Sequence, residues 1–126
     1  MLKNKYILEF DMKGTPASLL WIYLSTPSGL RQWFADEVEQ DGKLFTFYWE
    51  KYPTDAMQVS VRSGERIKFR WVDDDEKCYF EFKITNSELT GKTQLIITDF
   101  AEPSEENEAQ ALWTKQVKNL KRMLGC

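Results

Sequence analysis

Histidine is absent altogether, and that absence excludes more chemistry than any residue present supplies. With it go the commonest general base at neutral pH, the commonest transition-metal ligand and every Ser-His-Asp or Cys-His nucleophile pair. Cysteine is scarce: Cys78 and Cys126 are the only two. Two make no disulfide framework, and both read as free thiols in a reducing compartment. Positive charge is outweighed, since 17 Lys and Arg against 20 Asp and Glu leave a net charge of −3. Such a chain has no electrostatic reason to seek phosphate backbones, so no nucleic-acid partner is expected. Long hydrophobic runs are missing too. The longest, Leu19 to Leu24, is far too short to cross a bilayer, and the first ten residues lack the apolar core of a signal peptide. These absences together imply a cytoplasmic protein with no membrane insertion, no metal and no cofactor.

What is present is bulk. Aromatic residues make up 14% of the 126 residues, including five Trp and eight Phe. Rings in such number either fill a core or line a cavity that accepts something apolar. The length fits one domain over residues 1–126, long enough to bury a core without disulfides or a metal.

Two periodicities divide the chain. Residues 3–12 alternate, with Tyr6, Leu8, Phe10 and Met12 on one face, which predicts a half-buried strand. Thr15-Pro16 and Thr26-Pro27 each pair an N-cap with a Pro at the first helical position. They predict two short helices joined at a corner, the second carrying Leu30, Trp33 and Phe34. From Asp36 to Phe100 the period is two. Phe45, Phe47 and Trp49 share a face, as do Met57, Val59 and Val61, then Ile67, Phe69 and Trp71, then Cys78, Phe80, Phe82 and Ile84, and finally Leu95 and Ile97. The intervening breaks, at Asp41-Gly42, Tyr52 to Asp55, Ser63-Gly64, Asp73 to Asp75 and Thr90-Gly91, hold turn residues. Short breaks between sequential strands predict an antiparallel meander, apolar on one face only.

The last segment switches to helical spacing. Ser104 reads as its N-cap. Glu105, Glu106 and Glu108 near the start, and Lys115, Lys118, Lys121 and Arg122 toward the end, complement a helix dipole. Ala109, Leu112, Trp113, Val117, Leu120 and Leu124 form one stripe, and Gly125 reads as the stop. The class is therefore α+β, with one long C-terminal helix available to cover the apolar face of the sheet.

The order of strand, two short helices, six antiparallel strands and long helix resembles the helix-grip fold of the START and plant-allergen-like (Bet v 1-like, SRPBCC) superfamily. Within it the chain is most similar to the group related to the C-terminal domain of the activator of the heat-shock ATPase. The Thr26-Pro27 corner leading to Leu30 and Trp33-Phe34, the strand end Phe69-Arg70-Trp71, and Leu112-Trp113 followed by Leu120 and Leu124 carry the resemblance, which covers nearly the whole chain. It implies a curved sheet gripping the long helix, and an internal cavity for lipids, polyketides, hormones or other apolar molecules. Some members of the superfamily are cyclases or aromatases, and others are partner-binding modules.

The expected lining of such a cavity is Trp33, Phe45, Phe47, Met57, Val59, Trp71, Phe80, Trp113 and Val117. The competing expectation is that the same rings close the space. Cys78 falls on the inward face either as a nucleophile or as a small buried hydrophobe, and no His is present to lower its pKa. Residues Asn86 to Thr93 imitate the end of a P-loop but lead into a strand, so a hairpin is expected. Asp73 to Glu76 lack the spacing of a calcium loop and read as a solvated hairpin tip. No Asp or Glu falls clearly on the inward face. Glu37 and Asp55, and the phenols of Tyr23, Tyr48 and Tyr52, are the remaining candidates for acid–base work. The function expected is non-enzymatic binding of a small apolar or amphipathic ligand between sheet and C-terminal helix. The alternatives are a co-chaperone-like protein-interaction module with a filled core and, third, a cyclase or hydrolase. The partner is thus a small hydrophobic molecule or, on the second reading, a protein.

Overall fold

Alternating apolar residues need one shared surface to cover, and in the computed structural model, which describes residues 2–87 and 89–126, they find it in one sheet. Seven antiparallel strands run in the order β1-β7-β6-β5-β4-β3-β2. These are β1 (Asn4–Asp11), β2 (Glu37–Asp41), β3 (Leu44–Trp49), β4 (Tyr52–Arg62), β5 (Arg66–Trp71), β6 (Phe80–Asn86) and β7 (Thr93–Ala101), with helices α1 (Ala17–Ser25) and α2 (Pro27–Leu30) after β1 and the long α3 (Glu106–Leu124) at the end. β1 and β2 lie at opposite edges of the sheet, so the two short helices must carry the chain across its width. Both edges bear charge, with Lys5 and Glu9 on β1 and Glu37, Glu39 and Asp41 on β2 exposed, which deters pairing with another strand.

The corner between α1 and α2 is set by local chemistry. The Thr26 hydroxyl accepts from the Gly29 backbone N–H at 3.0 Å and itself donates to the Ile22 carbonyl at 2.7 Å. A Cβ at Gly29 would stand 2.1 Å from that same carbonyl oxygen, so only glycine lets the two helices meet this closely. The helix α2 stops at Leu30, and Trp33 and Phe34 follow it in a turn. The first helix departs from expectation, because Pro16 occupies the N-cap without a side-chain hydrogen bond and Thr15 is buried instead. Likewise α3 begins after Glu105, with no side-chain cap, and Ser104 lies in the preceding turn. Its end is as read: Gly125 closes the helix in the left-handed conformation at φ 75°.

The hairpins hold two differences. The β3–β4 turn falls on Glu50 and Lys51, at φ 52° and 73°, and Tyr52 to Asp55 already belong to β4. The Asp36 carboxylate steadies that turn by accepting from the Glu50 N–H at 2.9 Å. The second difference changes a face. Met57 stands opposite Arg70, Gln58 opposite Phe69 and Ser60 opposite Lys68, so Val59 is an extra residue in a β-bulge. A one-residue insertion inverts the parity of every side chain on one side of it. Ala56 is therefore the inward residue, fully buried, while Met57 shares the outer face with Arg70 and Val59 is 40% exposed. The expectation that Met57 and Val59 line the interior is corrected on this ground.

Elsewhere the parity holds. Phe45, Phe47, Ile67, Phe69, Phe80, Phe82, Leu95 and Ile97 form a buried inner face, and Trp113, Val117 and Leu120 of α3 lie on it. Among the described residues no helix is long and apolar enough to cross a membrane.

The bulge has a measurable consequence. By chemical denaturation, Val59→Lys should change stability by less than about 0.5 kcal/mol, as an exposed substitution does. The same change at Ala56 should cost more than about 3 kcal/mol, since it buries an unpaired charge. Comparable losses at both positions would place Val59 inside.

Candidate functional site

Phe34 is the ring around which the interior is assembled. It is 3% exposed and stacks on Trp113 of α3, with centroids 5.5 Å apart and planes 13° from parallel. Toward the sheet it meets Phe47 edge-on at 5.0 Å and Trp49 edge-on at 5.3 Å, and it lies 5.7 Å from Phe80. Its backbone carbonyl accepts two side-chain donors, Trp49 Nε1 at 2.9 Å and Gln116 Nε2 at 3.0 Å. One residue after α2 thus joins β3, β6 and α3. Deeper in, Phe45, Phe69, Phe80 and Phe82 pack ring on ring without exposure. Each such pair adds roughly 0.5–1.5 kcal/mol beyond its area burial.

The ring packing ends at the mouth formed by β3, β5 and the first half of α3. There an open cleft of about 360 Å³ is lined by Phe34, Trp49, Trp71, Asp99, Ala109, Leu112, Trp113 and Gln116. Trp49 and Trp71 are half-buried and Leu112 is 56% exposed, so the walls reach the surface. A wider, more polar hollow of about 600 Å³ adjoins it, sharing Phe34, Trp49, Leu112 and Gln116, with Trp33, Lys115 and Arg122 on its far side.

Asp99 is the charged group in the lining of the cleft. Trp113 Nε1–H donates to its Oδ2 at 2.9 Å, and the Tyr6 hydroxyl donates to the same oxygen at 3.3 Å. The Phe100 backbone N–H donates to Oδ1 at 2.8 Å. Burial pushes the Asp99 carboxyl above the usual carboxylate range, although the donors from Trp113, Phe100 and Tyr6 pull it back. Burial, and then the charge of Asp99, raises the Tyr6 phenol, which therefore stays a donor. No ion pair within 4.0 Å among the described residues involves Asp99; Lys3, whose charge acts on it, is bonded to Asp74 at 3.0 Å.

The reading that no acidic residue faces inward is corrected by Asp99. The alternation Leu95, Ile97 needs only one more step to place its carboxyl inside, and β7 runs through to Ala101. Of the nine expected lining residues, Trp71 and Trp113 line the cleft and Trp33 lines the adjoining hollow. Phe45, Phe47, Phe80 and Val117 are fully buried core beneath it. Met57 and Val59 lie elsewhere, as the bulge requires.

The other candidates serve local structure. Glu37 is exposed and bonds Arg31 at 2.7 Å, which holds its carboxyl below the usual value. Asp55 accepts from Thr46 at 2.7 Å, Tyr48 donates to Glu39, and Tyr52 is 74% exposed. The Tyr23 carbonyl accepts from Trp33 Nε1 at 2.7 Å. Cys78 is buried, and burial pushes its thiol up, the direction opposite to that of a nucleophile. The hairpin at residues 86–93 closes through Ser87 and Lys92, while its Glu88 lies outside the described residues. Among the described residues no three His, Cys, Asp or Glu side chains gather to hold a metal ion.

A family model of the START-like superfamily domain matches residues 1–126. The solution NMR structure of BfR322 from Bacteroides fragilis is 42% identical, with a TM-score of 0.70 over 98% of this chain and 92% of that one. The Aha1 dimer from Colwellia psychrerythraea is similar at 13% identity and a TM-score of 0.76, covering 98% and 96%. CalU16 from Micromonospora echinospora is similar at 15% identity and a TM-score of 0.76, covering 97% and 76%. The last two likenesses concern the fold alone. No curated protein gives a significant match.

The raised Asp99 carboxyl ties stability to pH. Folded protein holds that proton more tightly than unfolded chain, so the group's contribution is full below the ordinary value of 3.8 and is lost as pH rises through the raised folded value. The titratable neighbours acting on it or feeling it are Lys3, Tyr6 and Cys78. Carboxyl-carbon NMR should give Asp99 a midpoint above 3.8. A midpoint at or below that value would contradict the desolvated site.

Proposed function

The chain belongs to the START-like superfamily, and from that premise we propose that it binds a small amphipathic molecule in the cleft between β3, β5 and α3. The apolar body of the molecule lies against Phe34, Trp49, Trp71 and Trp113, and its polar end meets Asp99. One observation carries this reading: a half-buried carboxylate without an ion-pair partner among the described residues lines a ring-walled opening of ligand size. A protein that used these rings only as core would gain by burying Trp49 and Trp71 fully and by replacing Asp99 with a hydrophobe. Binding offsets both costs.

The chemistry supports binding more than turnover. Asp99 is the one carboxylate in the lining of the cleft, and its neighbours Tyr6 and Trp113 are hydrogen-bond donors already directed at it. A second acid or base facing the same space is not among the lining residues. The protein-docking alternative is favoured by a different feature, the exposure of Leu19 (40%) and Ile22 (48%) on α1, a helix with no charged residue.

Ala109 is the small residue on the helix side of the cleft, and filling it is a direct test. N-phenyl-1-naphthylamine, uncharged at neutral pH, should gain fluorescence on binding the native protein with a micromolar-range Kd, on the order of 10 µM. Ala109→Trp should weaken that binding about tenfold or more while leaving the circular dichroism unchanged. Equal binding by the variant would move the ligand to another part of the molecule.

A further inference from the structure

The lining of the cleft carries one formal charge, and it is negative. Of its eight lining residues only Asp99 is ionisable; the remainder are four rings, Ala109, Leu112 and Gln116. Two of the three indole N–H groups are already committed, Trp49 to the Phe34 carbonyl and Trp113 to Asp99, so those rings offer the ligand π-surface and hydrocarbon rather than donors. Gln116 spends a donor on the same Phe34 carbonyl. The cationic side chains nearby, Arg31, Lys115 and Arg122, line the adjoining hollow and not the cleft, and Arg31 is bonded to Glu37. A carboxylate accepts about four hydrogen bonds, and Tyr6, Trp113 and Phe100 fill three, two on Oδ2 and one on Oδ1. One acceptor position on Oδ1 is left without a donor among the described residues, on a side chain that lines the cleft.

We propose that the molecule bound here carries a single cationic amine on an apolar body, the ammonium meeting Asp99 and the rings of Trp71 and Trp113. This rests on the binding reading above and names its ligand class. An ammonium satisfies each peculiarity of the cleft at once. It supplies a counter-ion in contact, where Lys3, bonded to Asp74, acts on Asp99 only from a distance; it donates to the open acceptor on Oδ1, and it is attracted by the electron-rich ring faces. An anionic ligand meets the reverse: a like charge in the lining of the cleft and no cation beside it. A neutral hydroxyl fills the acceptor position but brings no counter-ion into contact with the carboxylate.

Three probes of one shape separate these cases: 2-naphthylmethylamine, 2-naphthylmethanol and 2-naphthoate, titrated by calorimetry at neutral pH into the native protein and Asp99→Asn. In the native protein the amine is expected to bind about tenfold or more tighter than the alcohol, and the naphthoate weakest. In Asp99→Asn, which removes the charge, the advantage of the amine over the alcohol should disappear. Equal affinity for amine and alcohol in the native protein, or a preference for naphthoate, overturns the amine assignment and leaves the cleft as a binding site. Failure of all three probes to bind overturns the binding reading itself. The comparison among probes is made in the native protein and does not depend on the variant folding.

Discussion

A concave sheet lined with phenylalanine has to be covered, and the cover is held through one ring. Phe34, delivered by the turn after α2, lies flat on Trp113 of α3 while its edges meet Phe47, Trp49 and Phe82 of the sheet. Its carbonyl ties Trp49 of β3 and Gln116 of α3 to the same point. The placement of Phe34 depends in turn on the α1–α2 corner, where Thr26 caps and Gly29 admits a backbone carbonyl at a distance no Cβ allows. A short helical connection between opposite sheet edges thus decides where the long helix lies.

The cleft follows from where this packing stops. Under the middle of α3, Val117 and Leu120 seal against fully buried phenylalanines. Nearer its start the helix offers Ala109, and the sheet offers two large indoles that are only half-buried. Small against large leaves space at the rim rather than in the centre. β7 brings Asp99 to that rim, and the chain accepts a desolvated carboxylate there because Trp113, Tyr6 and Phe100 each donate to it. The same indole that stacks on Phe34 therefore also holds the acid. Support of the helix and shaping of the site are one arrangement.

Most of the architecture was legible because it follows from period. Alternation over Phe45 to Trp49, Ile67 to Trp71 and Phe80 to Ile84, and the helical stripe through Trp113, Val117 and Leu120, predict the sheet, its inner face and its cover. What escaped has physical causes. A bulge leaves no mark in a run such as Met57 to Val61, where apolar residues alternate cleanly with Gln58 and Ser60 and the register shift appears only once the partner strand is known. Helix starts at Pro16 and Glu105 lack the side-chain caps that Thr15 and Ser104 suggested. Trp71 and Trp113 border the cleft while Phe45, Phe47 and Phe80 are core, a division the sequence does not carry, since only three-dimensional packing tells a filled interior from its rim. Asp99 was hidden by its type: an acid after Leu95 and Ile97 reads as the end of a strand, although parity alone puts it inside.

Trp113 and Trp71 report the central claim directly, since five tryptophans give five distinguishable indole N–H resonances. Nitrogen–proton correlation spectra recorded while N-phenyl-1-naphthylamine is titrated in decide it. The indole signals of Trp49, Trp71 and Trp113 are predicted to move together and saturably, and that of Trp21 on α1 to stay in place. Movement of Trp21 with the three cleft indoles unchanged would contradict an account in which the rim of the aromatic core is the binding site.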